Sequence, residues 1–337
     1  MMLGQTCTRE EADALINKYS DPETAAQLLR KTKDWWREKL SRLRIETSRA
    51  DFDSMVNDWL PYQVLTARLW GRAGPNQRSG AYGYRDQLQD VLPLIFTQPE
   101  LARRQIILHA AQQFREGDVL KWWHQAAIGG TGIGQRTSSG DPHLWLPYVT
   151  ARYVAASGND ALLDHQVAFL EGDPLPRGAQ HLLIAPRPAR DSASIYEHCK
   201  RAVDLAVSRK GVHGLPLIGA SDWIDGFDMA GIAGRGESVW LGFFLHDVLL
   251  GFADLAARKE SSAAGAHYLR EADLLRTSLD ATSRKDRYVR LITDAGEEMT
   301  PLDTLSAAWP TLSGVAGLAR GRAAVDAALA KLELGDL

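Results

Sequence analysis

Cysteine is scarce: Cys7 and Cys199 are the only two in 337 residues. That excludes a disulfide framework and a cysteine-based zinc cluster, and it suits a reducing compartment. No uninterrupted apolar stretch approaches the roughly 18 residues of a bilayer-crossing helix. The start, MMLGQTCTREEADALINKYS, becomes charged before a signal-peptide core can form, so the expectation is a soluble, cytoplasmic chain without a membrane partner. Charge of one sign is also lacking, since the formal net charge is −3 and the basic residues are dispersed. Such a chain offers no electrostatic footprint for nucleic acid or an anionic membrane surface. The nine histidines form no HExxH or comparable spacing, and no metal site is expected. Period-two alternation is rare, and no repeat of fixed length is visible, which argues against a β architecture and a solenoid.

Apolar residues are present in quantity. At 45% hydrophobic the chain can bury a large core, as one big domain or two ordinary ones. The segment SDPETAAQLLRKTKDWWREKL offers Asp21 as N-cap and Pro22 at the first helical position, with Leu28, Leu29, Trp36 and Leu40 on one stripe. Similar helical patterns recur at about 51–70, 85–96, 98–115, 145–157, 159–170, 194–209, 237–258, 262–282, 303–315 and 321–333. The expectation is an all-α chain of antiparallel helical hairpins, with an N-terminal helical segment over 1–46 and the main domain over 47–337. Two long stretches, 129–142 and 171–194, read as loops of functional length.

Three clusters carry candidate chemistry. In AYGYRDQLQD, Asp86 and Asp90 share a helical face beside Arg85 and Gln89. Like charges at that spacing repel unless a ligand or cation lies between them; the pattern fits a solvated helix start or a site that grips a sugar or phosphate. In SSGDPHLWLPY, Asp141 precedes Pro142 and an apolar run with Trp145 one turn on. It reads as an N-cap, which would hold it ionised, or as a general acid, which needs a raised pKa. The stretch 214–240 interleaves Asp222, Trp223, Asp225, Arg235 and Glu237 with glycines, as an acidic turn region, a carbohydrate site or an unspecific metal site would. GGTGIG is set aside as a dinucleotide loop, because no strand is expected before it and no helix after it. His246, nine residues after Glu237 on an apolar helix, reads as a core histidine.

The blocks NDWLPYQVLTARLW, GAYGYRDQLQD, GDPHLWLPYVTARYVAASGN, IYEHCKRAVD, HGLPLIGASDWIDGFD, GRGESVWLGFFL and AAWPTLSG, taken in order, resemble the catalytic domain of the inverting glycoside phosphorylases of glycoside hydrolase family 94. Their flavour is that of the phosphorylase-like region of cyclic β-1,2-glucan synthases and of β-1,2-oligoglucan phosphorylases. The resemblance implies an (α/α)6 barrel without the family's usual N-terminal β-sandwich. It implies β-glucan oligosaccharide and inorganic phosphate as co-substrates, no organic or metal cofactor, and further domains if the chain is part of a longer glucan synthase, whose cytoplasmic part at an inner membrane it would then be. By resemblance Asp141 is the general acid. Arg85, Asp86, Asp90 and Trp145, with Asp222, Asp225 and Glu237, bind sugar, and Arg78, His246, Ser313 and Gly314 bind phosphate. An inverting β-glucan hydrolase and a non-catalytic glycan-binding remnant are the alternatives. The chain departs from the family pattern at Pro142, where a second acid is usual, at Ile224 inside the DWIDG block, at Ala307, and in a shortened 283–303 segment.

Overall fold

The computed structural model describes residues 5–73, 79–126, 131–285, 287–301 and 303–332. It divides into two compact units, Met1–Thr66 and Ala67–Leu337. In the first unit, α1 (Arg9–Tyr19) is closed by a reciprocal capping box between Thr8 and Glu11. The next helix, α2 (Pro22–Leu40), starts as its sequence dictates, with the Asp21 carboxylate accepting from the Thr24 amide and Pro22 in the first turn. Neither helix buries a residue fully. Then come α3 (Ala50–Ser54), a wide turn at Met55–Trp59 and α4 (Leu60–Gln63), and the Trp36 ring meets Tyr62 at 4.9 Å.

The second unit contains α5 (Tyr84–Asp90), α6 (Leu94–Thr97), α7 (Pro99–Ala110), α8 (Trp145–Ser157), α9 (Ile195–Ser208), α10 (Val239–Lys259), α11 (Ser262–Ala281), α12 (Thr304–Leu312) and α13 (Leu318–Leu332). Caps match composition: Ser194, Ser238, Ser261 and Asp303 each accept a first-turn amide, and α8 ends on Gly158 in the left-handed region. The core is built around α10, whose Trp240, Phe243, Phe244, Leu245, Leu249 and Phe252 are buried between α8, α9, α11 and α12. By length and composition α10 could cross a bilayer, but 78% of its apolar window lies inside the protein, which is how a helix apolar on every side is used in a core.

Among the described residues the chain is mostly helical, at 56% helix, but the expectation of an all-α chain needs correction because 15% of them are strand. The strands are β1 (Tyr82–Gly83), β2 (Leu120–Gln125), β3 (Thr131–Thr137), β4 (Gln166–Glu171), β5 (His181–Ile184), β6 (Arg187–Ser194), β7 (Glu237–Ser238), β8 (Ser283–Arg284), β9 (Arg287–Tyr288), β10 (Leu291–Ile292) and β11 (Glu298–Met299). They form an antiparallel four-stranded sheet in the order β1-β2-β3-β5, a three-stranded one, β11-β10-β7, and the pairs β4–β6 and β8–β9. The expected loops 129–142 and 171–194 therefore supply β3, β5 and β6. The expected helix at 159–170 is one tight turn, Asp160–Asp164, followed by β4. A strand, β2, does precede the GGTGIG run, but it pairs antiparallel with β3 and no helix opens after it, so the rejection of a dinucleotide loop rests on the second ground alone.

Two consequences position the site. In the ladder, Tyr82 and Gly83 lie opposite Trp123 and Trp122, which sets the start of α5 beside β2. Beyond β3, the loop carrying Asp141 lies backbone against backbone on the loop 217–221. The Gly140 amide donates to the carbonyls of Ile218 (3.1 Å) and Ser221 (2.9 Å). Gly219 has φ +62°, and a Cβ there would stand 1.9 Å from the Ser138 carbonyl oxygen, so only glycine permits this approach.

Candidate active site

Arg85 is the hub. It sits one residue into α5, buried, and its Nη1 donates to both Asp141 carboxylate oxygens (3.1 and 3.3 Å) and to the Asp222 carbonyl (2.9 Å). Its Nη2 donates to Asp225 Oδ1 at 2.7 Å. One guanidinium thus fastens the Asp141 loop to the 222–225 loop, using the forked donor geometry that suits carboxylates.

Asp141 is 0% exposed and accepts a further bond from Trp145 Nε1 at 3.1 Å. Its side chain makes no helix-capping bond, so the reading of Asp141 as an N-cap is corrected. The carboxylate turns inward, where Arg85 and the indole N–H donate to it in place of the first-turn amides. Burial pushes its pKa up, reinforced by nearby Asp222, and this outweighs the opposing pull of Arg85 and Trp145. A buried carboxyl with a raised pKa has the property a general acid needs.

Asp86 and Asp90 do share a face, and the cation between them belongs to this chain. Arg68 donates from Nε to Asp90 at 2.8 Å and its Nη2 lies 3.5 Å from Asp86. Burial nevertheless raises Asp90 to about 6, against the pull of Arg68. Gln89, on the adjacent face, accepts from Trp223 Nε1 at 3.0 Å. Asp86 faces a cavity of about 290 Å³ together with Gly83, Arg85, Lys121, Trp122 and Asp225.

Not every acid expected to hold sugar is open to it. Asp222 is 0% exposed, and its oxygens accept from Arg290 (2.6 and 2.8 Å), Ser238 Oγ (2.6 Å) and the Ile224 amide (2.9 Å). Its carboxylate is saturated by the protein, and only its carbonyl reaches Arg85. Glu237 is likewise buried, accepting from the amides of His213 (3.1 Å) and Leu215 (3.3 Å) and from His213 Nδ1. The Trp145 ring is enclosed by Tyr148 and Phe244, leaving it a hydrogen-bond donor to Asp141 rather than an open platform. Asp225 is half-exposed. Burial pushes it up, but Arg85 and Lys121 outweigh that and hold it below the usual carboxylate range.

Of the residues expected to hold phosphate, Arg78 lies outside the described residues. His246 and Ser313 are brought together: His246 Nδ1 donates to the Ser313 carbonyl at 3.1 Å, and burial lowers the histidine's pKa. Gly314 follows in the left-handed region at φ +73°. Trp309 of α12 contacts Phe244 (5.4 Å), which in turn packs on Trp145 (4.5 Å).

Sequence reasoning missed Arg68, Lys121 and Arg290. Lys121 Nζ lies 2.9 Å from Asp225, the same oxygen that Arg85 holds. Its only sequence signal is its place before the aromatic pair of KWWH.

The description "Glycosyl hydrolase 94 superfamily, catalytic domain" matches residues 35–334. The chain is 38% identical to the cyclic β-(1,2)-glucan synthase NdvB of Rhizobium meliloti (strain 1021), over 98% of this chain but 12% of that protein. It is 29% identical to the 3-O-β-D-glucopyranosyl-β-D-glucuronide phosphorylase of Paenibacillus borealis (64% of this chain, 25% of that one). Identity is 22% with the N,N'-diacetylchitobiose phosphorylase of Vibrio furnissii (94% of this chain, 41% of that one). The chain thus spans less than half of each of these relatives. Among solved structures, a GH78 family rhamnosidase of Bacillus sp. GL1 superposes with TM-score 0.58 at 15% identity, over 85% of this chain and 26% of that one. That likeness is one of fold, and together with the mostly helical content and the family match it fits an (α/α)6-type fold.

Proposed function

The chain belongs to the glycosyl hydrolase 94 superfamily, catalytic domain, and from that premise we propose that it transfers a β-linked glucosyl unit between a gluco-oligosaccharide, β-1,2-linked, and inorganic phosphate with inversion. The observation that carries this reading is the fully buried Asp141, its pKa raised, fastened by Arg85 beside a sugar-sized cavity. In an inverting phosphorolysis Asp141 protonates the leaving glycosidic oxygen. A phosphate oxygen attacks the anomeric carbon from the opposite face, the C–O bond breaks, and α-glucose 1-phosphate leaves with the shortened oligosaccharide. Phosphate is itself the nucleophile, so no base carboxylate, metal or organic cofactor is required. Asp86 and Asp225 accept sugar hydroxyls at the cavity, Arg85 orients the acid, and His246, Ser313, Gly314 and Arg78 hold phosphate. The helices of the second unit close as the six-hairpin barrel in this reading, and the partners are β-glucan oligosaccharide, phosphate and other domains of a longer glucan synthase.

Asp225 favours one second reading. A half-exposed carboxylate kept ionised by Arg85 and Lys121 has the properties of the base in an inverting hydrolase, which acts at roughly 6.5–9.5 Å from the acid. Incubation with β-1,2-gluco-oligosaccharides, with and without phosphate, separates them. We expect α-glucose 1-phosphate only when phosphate is present. Glucose release without phosphate would overturn the phosphorylase reading, and binding without turnover in both conditions would make the chain a glycan-binding module.

A further inference from the structure

Along α9, Tyr196, Lys200 and Asp204 recur at every fourth position and so share one face. That face meets the turn from α10 into α11, where Lys200, Asp204 and Val207 line a cavity of about 420 Å³ with Glu260, Ala264 and Tyr268. We propose that this cleft is a second glycan-binding site, which takes one neutral sugar residue of a gluco-oligosaccharide. It shares no lining residue with the cavity beside Arg85 and Asp86. Two observations point to a ligand. Lys200 Nζ lies 3.7 Å from Asp204 and 3.9 Å from Glu260, near enough to pair in charge but beyond hydrogen-bonding distance, and among the described residues no hydrogen-bond acceptor is found for it. Its three N–H donors are thus left for an oxygen from outside the protein. Tyr196 is 6% exposed, and its hydroxyl makes no well-formed hydrogen bond. Burial, then Glu260 and Asp204, push its pKa up, which places that hydroxyl beside the two carboxylates of the cleft. A buried hydroxyl without a partner is costly, and a ligand oxygen supplies one.

The groups around the cleft suit a neutral polyol. Asp204 Oδ1 accepts from the Tyr268 hydroxyl at 2.8 Å, which leaves its second oxygen for a ligand. A phosphate dianion would face the carboxylates of Asp204 and Glu260, and an amine cation would face Lys200. A sugar hydroxyl meets a donor and an acceptor at once, while Val207 and Ala264 offer apolar surface to the C–H face of the ring. The volume falls within the roughly 300–1,000 Å³ of ligand pockets and suits one ring. The geometry is set in advance, because Phe252 stacks on the Tyr196 ring (5.5 Å) and meets Tyr268 edge-on (4.9 Å), fixing both tyrosines. A glucan chain held here stays tethered to the enzyme, which raises the effective concentration of its remaining residues. The site takes its ligand class from the phosphorylase reading, but its existence is tested separately.

The experiment is calorimetric titration of a long β-1,2-gluco-oligosaccharide, without phosphate, into the wild type, Lys200→Met and Tyr196→Phe, with a thermal melt of each protein. The wild type should show two binding events per chain. Lys200→Met should weaken one of them by about 10- to 100-fold, as loss of a charged hydrogen bond does, and Tyr196→Phe should weaken the same one by about 2- to 10-fold. Tyr196→Phe should melt no lower than the wild type, because its hydroxyl has no partner to lose in the free protein. The kcat for the shortest oligosaccharide cleaved should stay within about twofold in both variants, since neither residue lines the cavity beside Asp86. Binding that does not respond to Lys200→Met, or no binding by the wild type, overturns the site and leaves the cleft to solvent. A Tyr196→Phe protein that melts lower and binds as before would assign the hydroxyl to Glu260 and overturn the part proposed for Tyr196. If the wild type shows no phosphorolysis, the previous reading fails while the titration still decides the site: a binding event weakened by Lys200→Met supports it. Should Lys200→Met not fold, Lys200→Gln takes its place in the same titration.

Discussion

Asp141 shows how one carboxyl serves opposing demands. Burial raises its affinity for a proton, while Arg85 and Trp145 stop the ionised form from becoming prohibitive once the proton has left. A neutral acid that donates and then persists as a held carboxylate is the cycle that glycosidic cleavage requires. Asp141→Asn keeps an oxygen that accepts from Arg85 and Trp145 but has no acidic proton. Turnover should fall by about 100- to 10,000-fold. The fold should survive, at a cost on the order of 1–3 kcal/mol for the amide's unpartnered N–H groups. Steady-state rates and a thermal melt on the same preparation check this, and a variant that retains wild-type turnover would remove Asp141 from the chemistry. Loss of a helix cap is not among the expected effects, since the side chain caps nothing.

Loops 138–141 and 217–222 do for the site what a single helix could not, carrying Asp141 and the Arg85 acceptors on backbones in direct contact. Gly219→Ala puts a methyl group 1.9 Å from the Ser138 carbonyl and forces φ +62° on a residue that resists it, so the loops must part. The expected result is a loss of at least about 1–2 kcal/mol and, because the acid moves, a fall in turnover of at least about tenfold. Gly158→Ala is the control. It carries the same strain at φ +66° with nothing within 4 Å of its new Cβ, and should lose stability while keeping its rate per folded molecule. Equal rate losses in both would deny the loop contact its role. The helices were legible because their signals are local, as at Asp21 before α2 and in the apolar length of α10. The strands were not. TGIGQRT of β3 and RPARDSAS of β6 show no apolar alternation, and β3 meets β5 through pairs such as Thr137 with His181, a separation that no local window spans. The same holds at the site, where Arg85 and Asp141 were legible as residues. Arg68 acquires its meaning from Asp90, Arg290 from Asp222 and Lys121 from Asp225, each through chain reversals that spacing does not encode.

For the molecule as a whole, the acids of the site make stability depend on pH in two opposed ways. Asp225, held down by Arg85 and Lys121, has a lowered value, so what it contributes is present at neutral pH and is lost on acidification. Asp90 works the other way. Burial raises it from 3.8 to about 6, so the folded state binds its proton more tightly than the unfolded chain does. Its contribution is complete below about pH 4 and is lost as pH rises through about 6. Two pKa units correspond to about 3 kcal/mol, an upper value for a side chain that retains 18% exposure. Total stability sums both kinds of group, so the wild-type curve alone cannot isolate Asp90. Its difference from Asp90→Asn can, because the amide keeps the shape and an acceptor for Arg68 but does not titrate. The variant should gain on the wild type steadily between about pH 4 and pH 6 and hold that gain above it, measured by urea unfolding across the range. A difference that is flat with pH, or that grows toward acid, would mean that Arg68 rather than burial governs Asp90 and that its carboxylate is ionised throughout.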